Sequence, residues 1–400
     1  MKRFDVNSIP AEKPRLSVFN WIRLFFLFSF GAVGVLLPYL GLLLSQKGIS
    51  GVQLGSLLGL IPLVQIFVQP LWGYLADVLK IRRFVLGFSL IALSMPAIGL
   101  LYTNRFSSLL VMIILYAIVY TPYVPISSAL ILEYLESIHQ QGEFGRLRLW
   151  GSVGYVLASL LAGIFLVEDH LFVLPYLFGG LMILSGLIAL ILPDVKSRER
   201  MDWLEGVKLL PEHPQLLVFF VGMGLVGGVI SIASQYLPVY LDSINTAGWI
   251  MGSVIALQAV TEIPLMSRSN LIVKRVGLQT AIILGTLILP IRFVLYSLIE
   301  NPVWLLPVQL LHGVTILSMM VFAPLYVSQS LPAKWRATGQ GLYTTFYGGF
   351  GSSIGLFMAG VLNDWRGIQT VWIGCMIASV LSIVIISKVL RPQKSSNRDG

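Results

Sequence analysis

"PDVKSRERMDWLEGVKLLPEHPQ", Pro193–Gln215, is the longest polar segment in a chain of 400 residues that is 56% hydrophobic and only 11% charged. Soluble domains carry about 25% charged residues, so the segment reads as an interruption in a polytopic membrane protein. Crossing a hydrocarbon core takes about 20 apolar residues of helix. Six suitable runs precede the segment: Phe19–Leu44, Val52–Asp77, Phe84–Tyr102, Ser108–Leu135, Leu147–Leu166 and Phe172–Leu192. Six follow it: Leu216–Leu241, Ala247–Ile272, Gln279–Leu298, Val303–Ser330, Gly341–Leu362 and Thr370–Leu390. Their apolarity is continuous rather than alternating, which selects helices over a closed β-barrel. The expected fold class is an all-α membrane protein of twelve transmembrane helices. Its expected units are a tail at 1–17, a six-helix bundle at 18–192, a central loop at 193–215, a second bundle at 216–390 and a tail at 391–400.

The two sets of six are related. "LGSLLGL" (Leu54–Leu60) in the second run matches "MGSVIAL" (Met251–Leu257) in the eighth, with Gly55 and Gly252 separated by 197 positions. The same shift lays Gly151 and Gly154 on Gly348 and Gly351, and Ala162 and Gly163 on Ala359 and Gly360. Because six runs separate the equivalents, the repeats point the same way, the pattern of a parallel repeat about an axis normal to the membrane. Gln65 then falls opposite Glu262, so one half has an amide where the other has an acid.

Charge gives the orientation. Lysines and arginines from Lys2 to Arg336 gather in the loops on the side of the N-terminus, whereas the opposite loops contribute Lys47, Arg105 and Arg366. By the positive-inside rule both termini are expected to be cytoplasmic. The net charge of +9 is then a topology signal with scope for anionic-lipid contact, and nucleic acid is not an expected partner. The single Cys375 excludes an internal disulfide. The first run is longer than a signal-peptide core and lacks a small-residue cleavage site, so it reads as an uncleaved anchor. The four histidines, His139, His170, His213 and His312, show no metal-ligand spacing. With no Walker loop and no nucleophile–base arrangement, neither an enzyme nor a cofactor is expected.

A charge near the bilayer centre costs at least about 2.5–3.5 kcal/mol, so ionisable residues there are expected to face a cavity or a partner. Glu262 in "ALQAVTEIPLMSR" (Ala256–Arg268), Arg292 in the ninth run and His312 in the tenth all fall in the middle half of the membrane at about 1.5 Å of rise per residue. A protonatable carboxylate, a fixed cation and an imidazole around one solute are the parts of a proton-coupled carrier, with Glu262 and His312 handling the proton. The alternative is a permanent Glu262–Arg292 pair with His312 bonding between helices. Gln235, Tyr236, Gln309 and Tyr343 are hydrogen-bonding candidates for the solute, with helix packing as their other role.

Two constellations lie toward the basic side. In "FVQPLWGYLADVLKIRR" (Phe67–Arg83), Gly73 permits close helix approach while Asp77, Arg82 and Arg83 supply the charges of a cytoplasmic gate. In "GEFGRLRLWGSVGY" (Gly142–Tyr155), Arg146 and Arg148 at i and i+2 point to different sides of a helix. Arg148, the deeper by about 3 Å, is the expected solute contact; snorkelling of both to phosphates is the alternative.

"GYLADVLKIRR" resembles the loop signature of the major facilitator superfamily, with Val78 and Lys80 replacing the usual basic residue and glycine. "FGRLRLWGSVG", "TEIP", "LILPIRF", "QLLHG" and "RATGQGLY" together resemble its branch of phenylpropionate, nucleoside and oligosaccharide proton symporters, with lactose permease a more distant relative. The resemblance implies the major facilitator fold. It also implies that Arg148 and Arg292 contact substrate, that Glu262 couples binding to protonation, and that His312 is the tenth-helix histidine. Ser128 and Thr315 stand where the lactose permease pattern has acids, which argues against galactosides and leaves Glu262 as the proton carrier. The expectation is a monomeric carrier in a bacterial inner membrane. It would take up a small organic solute (aromatic acid, nucleoside or sugar) with a proton, by alternating access. An excess of central arginine leans toward an organic anion. A proton-driven antiporter exporting amphipathic compounds is the first alternative, separated by flux against an imposed proton gradient. A non-transporting receptor or scaffold, which binds without flux, is the second.

Overall fold

The structure, a computed structural model, describes residues 16–79, 81–194 and 213–390. The expected tails, the basic residues within 1–15, 195–212 and 391–400, and Lys80 lie outside the described residues. Among the described residues, twelve helices are long and apolar enough to cross a membrane: α1 Val18–Ser45, α2 Gly51–Ala76, α3 Arg82–Tyr102, α4 Phe106–Ser137, α5 Gln141–Phe165, α6 Leu171–Ile191, α7 Pro214–Ser243, α8 Gly248–Ser267, α9 Leu278–Leu298, α10 Pro302–Ser330, α11 Arg336–Arg366 and α12 Ile368–Ser387.

Three elements depart from the apolar runs, each for a local reason. The eighth helix ends at Ser267 instead of Ile272, and a separate short helix, Ser269–Val276, carries Lys274 and Arg275. Helix α11 begins at Arg336, ahead of its run, because a helix wall facing an open cleft is polar and escapes an apolarity criterion. Helices α10 and α11 each contain a widened turn, Ser318–Phe322 and Thr345–Gly351, of the kind that often accompanies functional sites.

The first six helices contact the last six mainly along two seams, α2 with α11 and α5 with α8. Toward the face that bears the α1–α2 and α7–α8 loops, both seams are tight. The Cα of Gly360 lies where a Cβ on Gly55 would stand, about 3.0 Å away, and the Cα of Gly163 meets Gly252 in the same manner at 2.9 Å. These are one contact made twice, since Gly252 and Gly360 lie 197 positions after Gly55 and Gly163. Only glycine permits such backbone approach.

Toward the opposite, basic face the α2–α11 seam separates. Gly59 still approaches the Ser353 carbonyl, and Gly349 meets the side chain of Ile66. Beyond them a cavity of about 390 Å³ opens between the two helices. The structure is thus closed at one face and open at the basic one.

Candidate functional site

The second half supplies a polar cluster at membrane depth. Glu262 of α8 and His312 of α10 approach each other, His312 Nε2 lying 3.5 Å from Glu262 Oε1. The carboxylate keeps 30% of its surface exposed and the imidazole 12%. Helix α8, which carries Glu262, packs against α5 of the first half as well as α10 of its own. The His312 Nδ1 atom is buried without a hydrogen-bond partner.

Behind this pair sits a second arrangement. Gln309 Oε1 accepts from Gln258 Nε2 at 2.8 Å, from the Tyr296 hydroxyl at 3.0 Å and from Arg292 Nη2 at 3.3 Å. Arg292 also donates to the Tyr296 hydroxyl at 2.8 Å. Gln309 anchors the set by donating its amide to the Leu305 carbonyl at 3.2 Å. Arg292 is 1% exposed and has no carboxylate within 4 Å among the described residues, while its Nε has no partner. A Glu262–Arg292 ion pair, one of the two readings open in the sequence, is therefore not present in this state. Glu262 approaches histidine, and the arginine is held by a neutral amide and a phenol.

The first half carries an aromatic set beside Arg148. Arg148 is exposed, with its guanidinium 5.9 Å from the ring centre of Phe30. Phe30 adjoins Tyr123, which adjoins Tyr120, at ring separations of 5.9 and 5.8 Å. Tyr123 fixes its hydroxyl by donating to Ser29 Oγ at 3.0 Å. Arg146 pairs instead with Glu143 at 3.0 Å on the surface, so the two arginines diverge as their spacing requires. The open cleft between α2 and α11 is lined by Gln65, Gln69, Gln340, Thr344 and Thr345 and by no charged side chain.

Other expected contacts sit elsewhere. Gln235 bridges the halves by donating to the Leu37 carbonyl at 3.2 Å. Tyr236 is fully buried, and Tyr343 is buried with its hydroxyl given to the Met319 carbonyl at 2.7 Å. All three are packing residues in this state, the other role their positions allowed, and Gln309 is the hub rather than a surface of the cavity.

At the basic face, Arg82 pairs with Glu133 of α4 at 2.5 Å. The Arg83 backbone N–H reaches Asp194 at 3.5 Å, and its guanidinium lies over Phe84. Gly73 has open space where a Cβ would stand. The side chain of Asp77 lies outside the described residues. Gln258 and Tyr296 were not singled out from the sequence. Both stand one helical turn from a residue that was, Glu262 and Arg292, which is the spacing that places side chains on one face.

The MFS_1 like family matches residues 19–374, and the chain belongs to it. It is a major facilitator transporter and not an enzyme. An uncharacterised transporter of Bacillus subtilis (strain 168) is 24% identical over 93% of this chain and 94% of its own length. A maltose permease of Geobacillus stearothermophilus is 25% identical over 94% of this chain and 95% of its own. The crystal structure of the nucleoside transporter NupG shares the fold with a TM-score of 0.85 at 16% identity, covering 94% of this chain and all of that one.

Proposed function

We propose that the chain is a proton-coupled carrier that takes up a small neutral solute bearing a ring and hydroxyl groups, a nucleoside or small sugar, by alternating access. The observation that carries the coupling is the Glu262–His312 contact at membrane depth in a carboxylate that remains partly exposed. Protonation of Glu262 removes its negative charge and gives the carboxyl an O–H that a solute hydroxyl can accept. Loss of the proton on the far side of the cycle restores the contact and expels the solute. His312 holds the empty site together between turnovers.

The lean toward an organic anion rested on two arginines against one acid. With Arg292 1% exposed and engaged by Gln309 and Tyr296, one of the two central arginines, Arg148, is left to set against Glu262. That balance favours a neutral solute, as do the five amides and hydroxyls of the uncharged cleft. The half-buried ring of Phe30 beside Arg148 suits a ring. The maltose permease among its relatives points to the same chemistry.

In this reading the units 18–192 and 216–390 rock against each other. The basic face is cytoplasmic in a bacterial inner membrane, and the state described here releases solute inward. The test is proton uptake into proteoliposomes holding a pH dye, on adding nucleosides, disaccharides and phenylpropionate in turn. A nucleoside- or disaccharide-dependent pH change, lost in Glu262→Gln, is the expected result. An equal response in Glu262→Gln removes the coupling role. A response to phenylpropionate alone removes the neutral solute.

A further inference from the structure

The closed face is held by more than glycine contacts. Asp364, at the end of α11, accepts the free first-turn N–H groups of Gly51 and Val52 at the start of α2, at 2.6 and 2.7 Å. On the other seam Glu168, just beyond α5, accepts the first N–H of α8, Gly248, at 3.2 Å. Gly248 lies 197 positions after Gly51, and Asp364 lies 196 after Glu168, so the two caps are repeat-related within one residue. Each acid comes from one half and each helix start from the other, and both caps adjoin the Gly55–Gly360 and Gly163–Gly252 contacts.

The first N–H groups of a helix have no partner within it and carry the positive end of its dipole. A carboxylate there supplies both a hydrogen-bond acceptor and an opposite charge. When the halves part at this face, those bonds must break. We propose that Asp364 and Glu168 are two unequal latches that hold this face closed, and that opening begins on the weaker, α5–α8 seam.

Three observations give the order. Asp364 engages two donors at short distance, Glu168 one at a longer one. Gly51 also lies in reach of Asn363, a second polar group on the α11 side, whereas the nearest atoms around Gly248 belong to Gly163 and Glu168. The weaker latch acts on α8, the helix that also carries Glu262, fourteen residues or about 21 Å further along. A shift of α8 on binding at Glu262 therefore pulls directly on the Glu168 cap, and the α2–α11 seam stays closed longer. The latches operate whichever solute or ion moves, so their failure and that of the coupling assignment are separate outcomes.

The test needs no solute. Labels at Arg105→Cys in the α3–α4 loop and Glu300→Cys in the α9–α10 loop, both exposed and on the closed face, report its opening in full-length protein in nanodiscs. The native Cys375 is buried and takes no label. Relative to the parent, Asp364→Ala raises the long-distance to short-distance ratio about five- to tenfold and Glu168→Ala about two- to threefold, the range expected for losing a helix cap. Should Asp364→Ala fail to insert, Asp364→Asn, which keeps the volume and one acceptor, carries the same comparison with a smaller rise. Unchanged distributions in both acid variants overturn the latches. A larger rise for Glu168 than for Asp364 overturns their order.

Discussion

Where α3 crosses α4, Gly99 faces the thioether of Met112. Where α9 crosses α10, 197 positions later, the same two places are Tyr296 and Gln309, joined by a hydrogen bond that Arg292 and Gln258 share. One scaffold thus has an apolar crossing in its first half and a polar one in its second. The basic face shows the reverse. Arg82 and Glu133 form an ion pair in the first half, while their equivalents Gln279 and Ser330 line a small polar pocket of about 240 Å³. The fold requires neither arrangement, because each half manages without the other's. What differs between the halves therefore marks what each has been given to do: structural charge at the basic rim in the first, a polar centre in the second.

The largest test of that comparison gives the second half the first half's residue. Gln309→Met places the residue of position 112 at the hub and leaves the Tyr296 hydroxyl, the Gln258 amide and Arg292 without their shared acceptor. Stranding a buried charged donor together with neutral ones costs about 3 kcal/mol. The thermal midpoint in detergent should fall markedly. The double variant Arg292→Met with Gln309→Met, which removes the charge as well, should recover part of the loss. A single variant as stable as the parent would mean that the network bears no load.

Less steep is the effect of the cation on the aromatic wall. Arg148 has neither a carboxylate nor a hydrogen bond among the described residues, and its guanidinium lies over Phe30. Arg148→Ala should raise the half-saturation concentration for the solute about tenfold, the scale of losing a charged hydrogen bond, with stability unchanged. Arg148→Lys should recover little, because a lysine neither stacks nor forks. An unaltered half-saturation constant would move the site wholly into the second half.

Much of this was legible in the sequence for physical reasons that also set the limit. Apolar length fixes the number of crossings, and the 197-residue shift of Gly55 and Gly163 foreshadowed the paired seam contacts, because glycine at a close approach has no substitute. Glu262, Arg292 and His312 stood out because charge at that depth is expensive. Their rotation about the helix axes was not readable. Arg292 turns toward Tyr296, and Glu262 toward His312, through packing between α8, α9 and α10 that no spacing within one helix records. The start of α11 was missed since a polar helix facing a cleft looks like a loop by hydropathy. Asp364 and Glu168 passed unnoticed because an acid near a loop is ordinary until the helix it caps belongs to the other half.

The smallest effect sits at the repeat equivalent of Glu262. Gln65 lines the open cleft with Gln69 and Gln340, and its loss to alanine should raise the half-saturation concentration about two- to threefold, as for one neutral hydrogen bond. The sharper variant is Gln65→Glu combined with Glu262→Gln, which moves the acid to the first half while keeping the charge count. Position 312 has its equivalent at Leu115, so the moved carboxylate meets no imidazole there. Solute-driven proton uptake should remain absent in the double variant, as in Glu262→Gln alone. Recovery of coupling would show that a carboxylate in either half suffices and that the histidine opposite Glu262 is not required for coupling.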